Sequence, residues 1–247
     1  MYERIGAIVQ ARMGSRRLPG KVLKAFPGGS ILEVIIRKLL LWAETDAKRF
    51  VTVATTDQGI DDPIVKRAEA LGAAVVRGDE YDVLGRMARA AELGHYDMVI
   101  RVTADNPFLD IQLLERIMAE FMRQNADYAF VSGVPVGVGA EVMRMDCIRV
   151  ADNQAHDAYQ REHVTPFIRD NPHFRAIWLQ EKPDVSRFNL SVDTPEQFNR
   201  AHVVASELGA RVLRCRYQDI LDVITRNHIE FTCEDQESTS GASRNGS

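Results

Sequence analysis

Ile8, Val9, Gln10, Ala11, Arg12, Met13, Gly14, Ser15, Arg16, Arg17, Leu18, Pro19, Gly20, Lys21, Val22 and Leu23 form one stretch, in which an apolar run passes straight into a loop carrying four cations, two glycines and a proline. The run from Ile5 to Val9 reads as a short buried parallel strand. In the loop, glycines let the backbone turn and approach a ligand closely, while arginine forks and a lysine point charge neutralise an anionic group. A loop of this composition after a first strand is suited to holding phosphates. The bland alternative is a basic surface loop.

Spacing excludes two phosphate-binding fingerprints. A P-loop needs four residues between its glycines and a Ser or Thr after the lysine; here five residues separate Gly14 from Gly20, and Val22 follows Lys21. The dinucleotide pattern Gly-x-Gly-x-x-Gly is also missing after the first strand.

Working outward, Ser30 and Glu33 have capping-box spacing before a helical run through Leu39. Phe50 to Ala54 reads as a strand, and Asp62 with Pro63 opens a helix to Leu71. Ala74 to Val76 is a third strand, Asp82 to Leu93 a helix, Met98 to Val102 a fourth strand, and about Asp110 to Gln124 an amphipathic helix. Strands alternating with helices predict an α/β fold, a Rossmann-like, mostly parallel sheet with helices on both faces and ligands at the carboxyl ends of the strands. That rule brings the first loop and the segment Thr103 to Pro107 to one edge. After a strand at Tyr128 to Val131, the glycine-rich stretch Gly133 to Gly139 reads as an insertion facing the site, and Glu141 to Met143 as a strand. Helices are expected over Asp146–His156, Tyr159–Arg169 and Pro195–Leu208, and a strand over Phe174–Leu179.

The chain of 247 residues is 45% hydrophobic and carries a net charge of -4, which suits one domain and gives no global field for nucleic acid. Three cysteines, Cys147, Cys215 and Cys233, show neither metal-ligand nor disulfide spacing, so a cytoplasmic location is expected. No apolar run approaches the roughly 20 residues that span a bilayer, and the N-terminus has no signal-peptide pattern. One domain is expected over residues 1–233, followed by a disordered polar tail over 234–247.

The segments resemble, in order, those of the sugar cytidylyltransferases. These include the 3-deoxy-manno-octulosonate and acylneuraminate enzymes and, most similar of all, the spore-coat polysaccharide biosynthesis type. The first is Gln10 to Ser15 with Arg17 to Leu23. Arg77 to Asp79 with Asp82 to Leu84 and Arg86 form the second, and Arg101, Thr103, Asp105 and Pro107 the third. Gly139, Glu141 and Val142, then Arg161 to Thr165, then Ser191 to Thr194 complete six segments over about residues 5–208. The family pattern carries Gly and Cys beside its aspartate, where this chain has Ala104 and Asn106; the carboxylate is kept and the adjoining nucleotide pocket is altered.

The resemblance implies the nucleotide-diphospho-sugar transferase version of the fold, similar to the GT-A glycosyltransferase core. It also implies a reaction in which an acceptor attacks the α-phosphorus of CTP and pyrophosphate leaves, making a CMP-activated sugar acid or related surface-polysaccharide precursor. Nucleotidyl transfer asks the protein mainly for positioning and for neutralised charge, which cations and Mg²⁺ supply. On this reading Lys21, Arg12 and Asp105 are catalytic. Ala11, Arg12, Gly14, Ser15, Arg17, Lys21, Gly78, Asp79, Asp82 and Arg86 bind nucleotide, and Glu141, Arg161 and His163 face the acceptor. Asp105 and Asp193 hold the metal. The bland alternatives are a turn cap for Asp105, a helix start for Asp193, a solvated helix face for Arg86 and a structural role for His163, which is also a candidate base. A homodimer paired through an acceptor-facing insertion around residues 133–173 is implied as well. Three rival functions are a metal-dependent glycosyltransferase using a nucleotide sugar, a cytidylyltransferase acting on a phosphorylated or phosphonate small molecule, and a non-catalytic nucleotide-binding module. The first lacks its usual Asp-x-Asp motif here.

Overall fold

The computed structural model describes residues 2–231; the expected tail at 234–247 and Cys233 lie outside them. In chain order the elements are β1 (Ile5–Gln10), β2 (Ala25–Phe26), β3 (Gly29–Ser30), α1 (Ile31–Ala43), β4 (Arg49–Thr56), α2 (Asp62–Ala70), β5 (Ala74–Gly78), α3 (Val83–Leu93), β6 (Met98–Thr103), α4 (Ile111–Arg123), β7 (Tyr128–Ser132), β8 (Glu141–Arg144), α5 (Met145–Gln154), α6 (Ala158–His163), α7 (Pro166–Arg169), β9 (Ala176–Gln180), α8 (Pro195–Leu208) and α9 (Tyr217–Arg226).

The main sheet has the order β5-β4-β1-β6-β8-β7-β9. β1 pairs in parallel with β4 and β6, β4 with β5, and β7 with β9. β8 runs antiparallel between β6 and β7, so the sheet is mixed but mostly parallel. Alternation along the strands sends successive side chains to opposite faces. Ala7, Val9, Ile100, Val102 and Val142 meet α1, α4, α8 and α9 on one face. Ile8, Val99, Tyr128 and Met143 meet α3, α5 and α7 on the other. Each fully buried Ile or Leu of these layers contributes about 1.5–3 kcal/mol by leaving water.

Local chemistry fixes the helix starts beside the sheet edge. Ser30, Asp82 and Asp110 accept backbone N–H groups at the starts of α1, α3 and α4, and Thr194 with Gln197 closes a capping box on α8. Gly6 is required by close packing: a Cβ there would lie 2.1 Å from the Tyr96 ring, whose hydroxyl shares a 2.7 Å hydrogen bond with Thr52.

Several expectations are corrected. At Ser30 the cap forms, but the Glu33 carboxylate turns to Arg37 and Arg67 and leaves the box open. Asp61, not Asp62, stands at the cap of α2, and its carboxylate is used elsewhere. The single helix expected over Tyr159–Arg169 is broken into α6 and α7 because Val164 has φ 69° and ψ -61°, a γ-turn closed by Thr165 N–H to the His163 carbonyl at 2.8 Å, which a β-branched residue adopts only under tertiary constraint. The apolar run Leu190 to Val192, which leads into Asp193, lies outside the sheet: Leu190 N–H donates to the Val136 carbonyl and Val192 N–H to the Asp105 carbonyl, so neighbouring loops hold it.

Candidate active site

A cavity of about 740 Å³ opens at the carboxyl ends of β1 and β6, a volume ordinary for a small-molecule site. The first loop supplies Ala11, Arg12, Gly14, Ser15, Arg16, Arg17 and Lys21; β6 and its following turn supply Arg101, Thr103, Ala104 and Asp105. Arg86, His163, Glu162 and Asp193 complete it with Glu80 and Tyr81. Six cations there face four carboxylates, a surplus of two positive charges in a chain of net charge -4. A polyanion is the ligand such a cavity attracts.

Lys21 is the centre of the arrangement. Gly20, at φ 69°, takes the left-handed turn that starts a short 3₁₀ turn from Lys21 to Leu23, and this buries the lysine to 8% exposure. Its Nζ donates to Asp105 Oδ2 at 3.1 Å, Asp193 Oδ1 at 2.8 Å and the Val192 carbonyl at 2.7 Å. Arg17 reaches the other oxygen of Asp193 at 3.3 Å. The two carboxylates converge although they are far apart in sequence, because Val192 N–H pairs with the Asp105 carbonyl at 2.9 Å. Asp105 is not a helix cap; Asp110 has that task. Thr194 caps α8, which leaves the Asp193 side chain to the cavity.

Those two carboxylates fit a divalent cation. An ammonium already stands between them, both present oxygen to it, and a hard cation such as Mg²⁺ takes one or two carboxylates with phosphate and water for the rest. No group of three or more His, Cys, Asp or Glu side chains able to hold a metal occurs among the described residues, so a cation here needs ligand oxygens from its substrate.

Arg12 spans the mouth, 4.0 Å from Glu80 and 3.6 Å from Glu162. Arg86 is 4% exposed rather than on a solvated helix face, and its Nη1 donates to the carbonyls of Asp79 and Glu80. Its Nε is buried without a partner, an unfilled donor at the cavity wall. Burial, with Arg12 nearby, lowers its affinity for its proton.

Not every expected residue reaches the cavity. Asp79 shapes the turn before α3 by accepting the N–H groups of Tyr81 and Asp82, and Gly78 makes room for Arg86, whose Cγ would lie 2.9 Å from an added Cβ. Asp82 caps α3 and pairs with Arg161, which also binds Asp152; the pair ties α6 to α3. Glu141 is partly buried beside Arg101. Burial alone would raise its carboxyl, yet Arg101 and the hydrogen bonds of Tyr128, Arg101 and Thr165 hold it below the usual range. The residues Gly133 to Gly139 do not line the cavity; they brace residues 189–191, with a Cβ on Gly137 placed 2.8 Å from Ser191 N. Asn106 turns back to Thr103 at 2.7 Å, so only Ala104 of the two departures borders the cavity.

Two residues were given no role in the site from the sequence, although Arg101 stands in the third of the resembling segments. Arg101 lines the floor, and Asp61 straps the loop: its Oδ1 accepts Met13 N–H at 2.7 Å while Oδ2 takes Thr55 and Thr56. Arg101 had a visible signal, a charge inside an apolar strand. Asp61 had none, since its partners are tertiary.

The family model described as cytidylyltransferase matches residues 6–208. The chain is 35% identical to an uncharacterised protein of Methanocaldococcus jannaschii over 92% of this chain and 90% of that one. It is 32% identical to the spore coat polysaccharide biosynthesis protein SpsF of Bacillus subtilis over 83% and 87%. Among solved structures, a cytidylyltransferase from Leptospira borgpetersenii matches with TM-score 0.83 and 27% identity over 91% of this chain and 95% of that one. The CMP:2-keto-3-deoxy-manno-octonic acid synthetase complexed with CTP is similar in fold, at TM-score 0.63 and 17% identity over 83% and 99%. Sequence along most of its length, fold and a cation-lined cavity agree: the chain belongs to the cytidylyltransferase family and is a nucleotidyltransferase.

Proposed function

We propose that the protein transfers CMP from CTP to a sugar acid or related surface-polysaccharide precursor, releasing pyrophosphate. The observation that carries this reading is Lys21, held between Asp105 and Asp193 on the wall of a cavity with surplus positive charge. The names of two relatives support the product class: SpsF concerns spore-coat polysaccharide, and a 3-deoxy-manno-octulosonate cytidylyltransferase of Legionella pneumophila is 27% identical over 93% of this chain. A synthetase of similar fold is described as complexed with CTP.

Arg12, Arg17 and Arg86 hold the triphosphate, and the Gly14 and Ser15 backbone lies along it. Asp105 and Asp193 would hold Mg²⁺, which when bound supplies further neutralisation of charge around the α-phosphate. Lys21, on the wall of the same cavity, would face the phosphates and offset the charge that grows as pyrophosphate departs. The acceptor hydroxyl approaches from the opposite side. His163 borders the cavity with its ring 4.3 Å from that of Tyr159, available to the acceptor.

We further infer a homodimer through the sheet's β9 edge and the acceptor segment beside it; Trp178 on that edge strand is 61% exposed. Sedimentation at micromolar concentration should give twice the mass of 27.8 kDa, and a single-chain mass would reject the pairing.

The functional test is pyrophosphate release from CTP and Mg²⁺ with a panel of sugar acids. Turnover that needs a nucleotide sugar and yields no pyrophosphate would favour the glycosyltransferase instead.

A further inference from the structure

Away from the cavity, α1 carries a lysine that the transfer reaction does not use. Lys38 is 1% exposed, and its Nζ donates to the Leu109 carbonyl at 2.9 Å and to Cys215 Sγ at 3.6 Å. Cys215 stands just before α9, equally deep in the fold, with its Sγ 3.4 Å from the Val212 carbonyl. It also borders a second hollow of about 300 Å³, whose other walls are Ala210, Arg211, Arg214 and Asp219. None of these residues lines the first cavity.

We propose that Cys215 and Lys38 are a modification site for peroxides: a peroxide entering the second hollow oxidises the Cys215 thiol, and the Lys38 amine captures the product as an S–N cross-link between α1 and the start of α9. This stands apart from the nucleotidyl-transfer reading. In the first step the thiol proton passes to Nζ, the thiolate attacks one peroxide oxygen, and the O–O bond breaks. The departing hydroxide takes the proton back from Nζ and leaves as water. Cys215 is then a sulfenic acid, oxidised by two electrons, and the peroxide is reduced by two. In the second step Nζ attacks the sulfenic sulfur, and the S–O bond breaks as the hydroxyl leaves with an amine proton, again as water. Thiol, amine and peroxide thus become one S–N link and two waters.

Contact and charge both favour this pair. A sulfenic acid is consumed by whichever nucleophile or oxidant reaches it first, and Nζ already touches the sulfur. Burial weakens the hold of Lys38 on its proton and pushes the Cys215 thiol up, so both groups are driven toward their uncharged forms. A free amine is what the two steps need as base and as nucleophile. Asp110 and Cys215 pull Lys38 the other way, but Asp110 spends its carboxylate on the N–H groups of Gln112, Leu113 and Tyr217. Cys147 provides the contrast. It is as buried, its thiol is pushed up to about 12, and its sulfur lies 3.4 Å from the Asp127 carbonyl. It borders neither hollow, and no lysine is hydrogen-bonded to it among the described residues.

The test treats the folded full chain, carrying Cys233→Ser to remove the remaining thiol, with hydrogen peroxide in small excess and reads its peptides by tandem mass spectrometry. The peptide with Lys38 should be found joined to the peptide with Cys215, the pair about 2 Da lighter than the two apart because two hydrogens have left. Dithiothreitol should restore the separate peptides. The link joins residues 177 apart in sequence, so the oxidised chain should run faster than the reduced one on a denaturing gel. Lys38→Met keeps an apolar stem in the core and removes the amine. There the fast band should vanish, and dimedone, which labels sulfenic acid, should mark Cys215 about tenfold more than in the chain that keeps Lys38. Cys147 should stay unlabelled in both. Cys215 driven to its sulfinic or sulfonic acid, about 32 or 48 Da heavier, beside an unmodified Lys38 would overturn the proposal. So would a Cys215 that the peroxide leaves untouched, or a fast band that persists in Lys38→Met. A joined pair about 14 Da heavier, with an oxygen kept between the two atoms, would overturn the S–N step. The peptide pair is read on the chain that keeps Lys38, so the outcome stands even where Lys38→Met fails to fold.

Discussion

Lys21 Nζ carries three hydrogen bonds to two carboxylates and a carbonyl, so its removal is felt on both sides of the site. Lys21→Ala should lower kcat by about 10²–10³-fold, the range typical of losing one preorganised charge at the reacting centre. CTP affinity should fall much less, because Arg12, Arg17 and Arg86 stay; single-turnover rates and CTP titration separate the two. A variant that turns over like wild type would remove Lys21 from the chemistry. Asp105→Asn keeps shape and removes charge, and should abolish the Mg²⁺ dependence of turnover while thermal unfolding stays within a few degrees of wild type. Unaltered rates across a Mg²⁺ titration would contradict it. At this scale the sequence was informative where chemistry is local. The Arg12 to Lys21 loop and the Asp105 turn were legible from cations, glycines and strand ends. The role of Arg101 was not, because its partner Glu141 becomes adjacent only when β8 inserts beside β6.

Among the elements, the first loop depends on a residue outside it. Asp61 is 1% exposed and accepts from Met13, Thr55 and Thr56, linking β4, the start of α2 and the loop. Asp61→Ala leaves those donors buried and unfilled at a cost of about 2–3 kcal/mol. It should also raise the Kd for CTP about tenfold, since the loop that carries Arg12 loses its strap. Denaturant unfolding with CTP titration checks both, and unchanged CTP affinity in a destabilised variant would make Asp61 purely structural. The same tertiary dependence explains why α2 was given the wrong cap residue. Element by element, β1, β4, β6, α1, α3 and α4 were readable because apolar spacing and caps agree. The break between α6 and α7 was not, since nothing in the local sequence around Val164 announces a positive φ. Tyr217, Ile220, Val223 and Ile224 do recur at helical spacing in α9, a signal present but unread.

Across the whole molecule, the mostly parallel arrangement follows from strand and helix alternation, whereas the antiparallel β8 reflects long-range pairing that no local pattern encodes. A polar row, Gln10, Arg101, Glu141 and Tyr128, crosses the sheet above the apolar layer and contributes to acid sensitivity. Glu141 is held below its ordinary value of 4.5, against burial, by Arg101 and its hydrogen bonds. A carboxyl depressed on folding stabilises fully above its unfolded value and loses that contribution as pH falls through the lower folded value. Wild type should therefore lose more stability on acidification below 4.5 than the Arg101→Gln, Glu141→Gln double variant. Parallel Tm–pH curves would show that the pair adds nothing. The central claim joins a nucleotide to an acceptor in one cavity. Pyrophosphate release is the direct measurement, with CTP, UTP, ATP and GTP each offered with sugar acids, sugar phosphates and no acceptor, in Mg²⁺. Release with CTP and an anionic acceptor, with little from the other three, is the predicted result; release independent of base or acceptor, or none from any pairing, would contradict it.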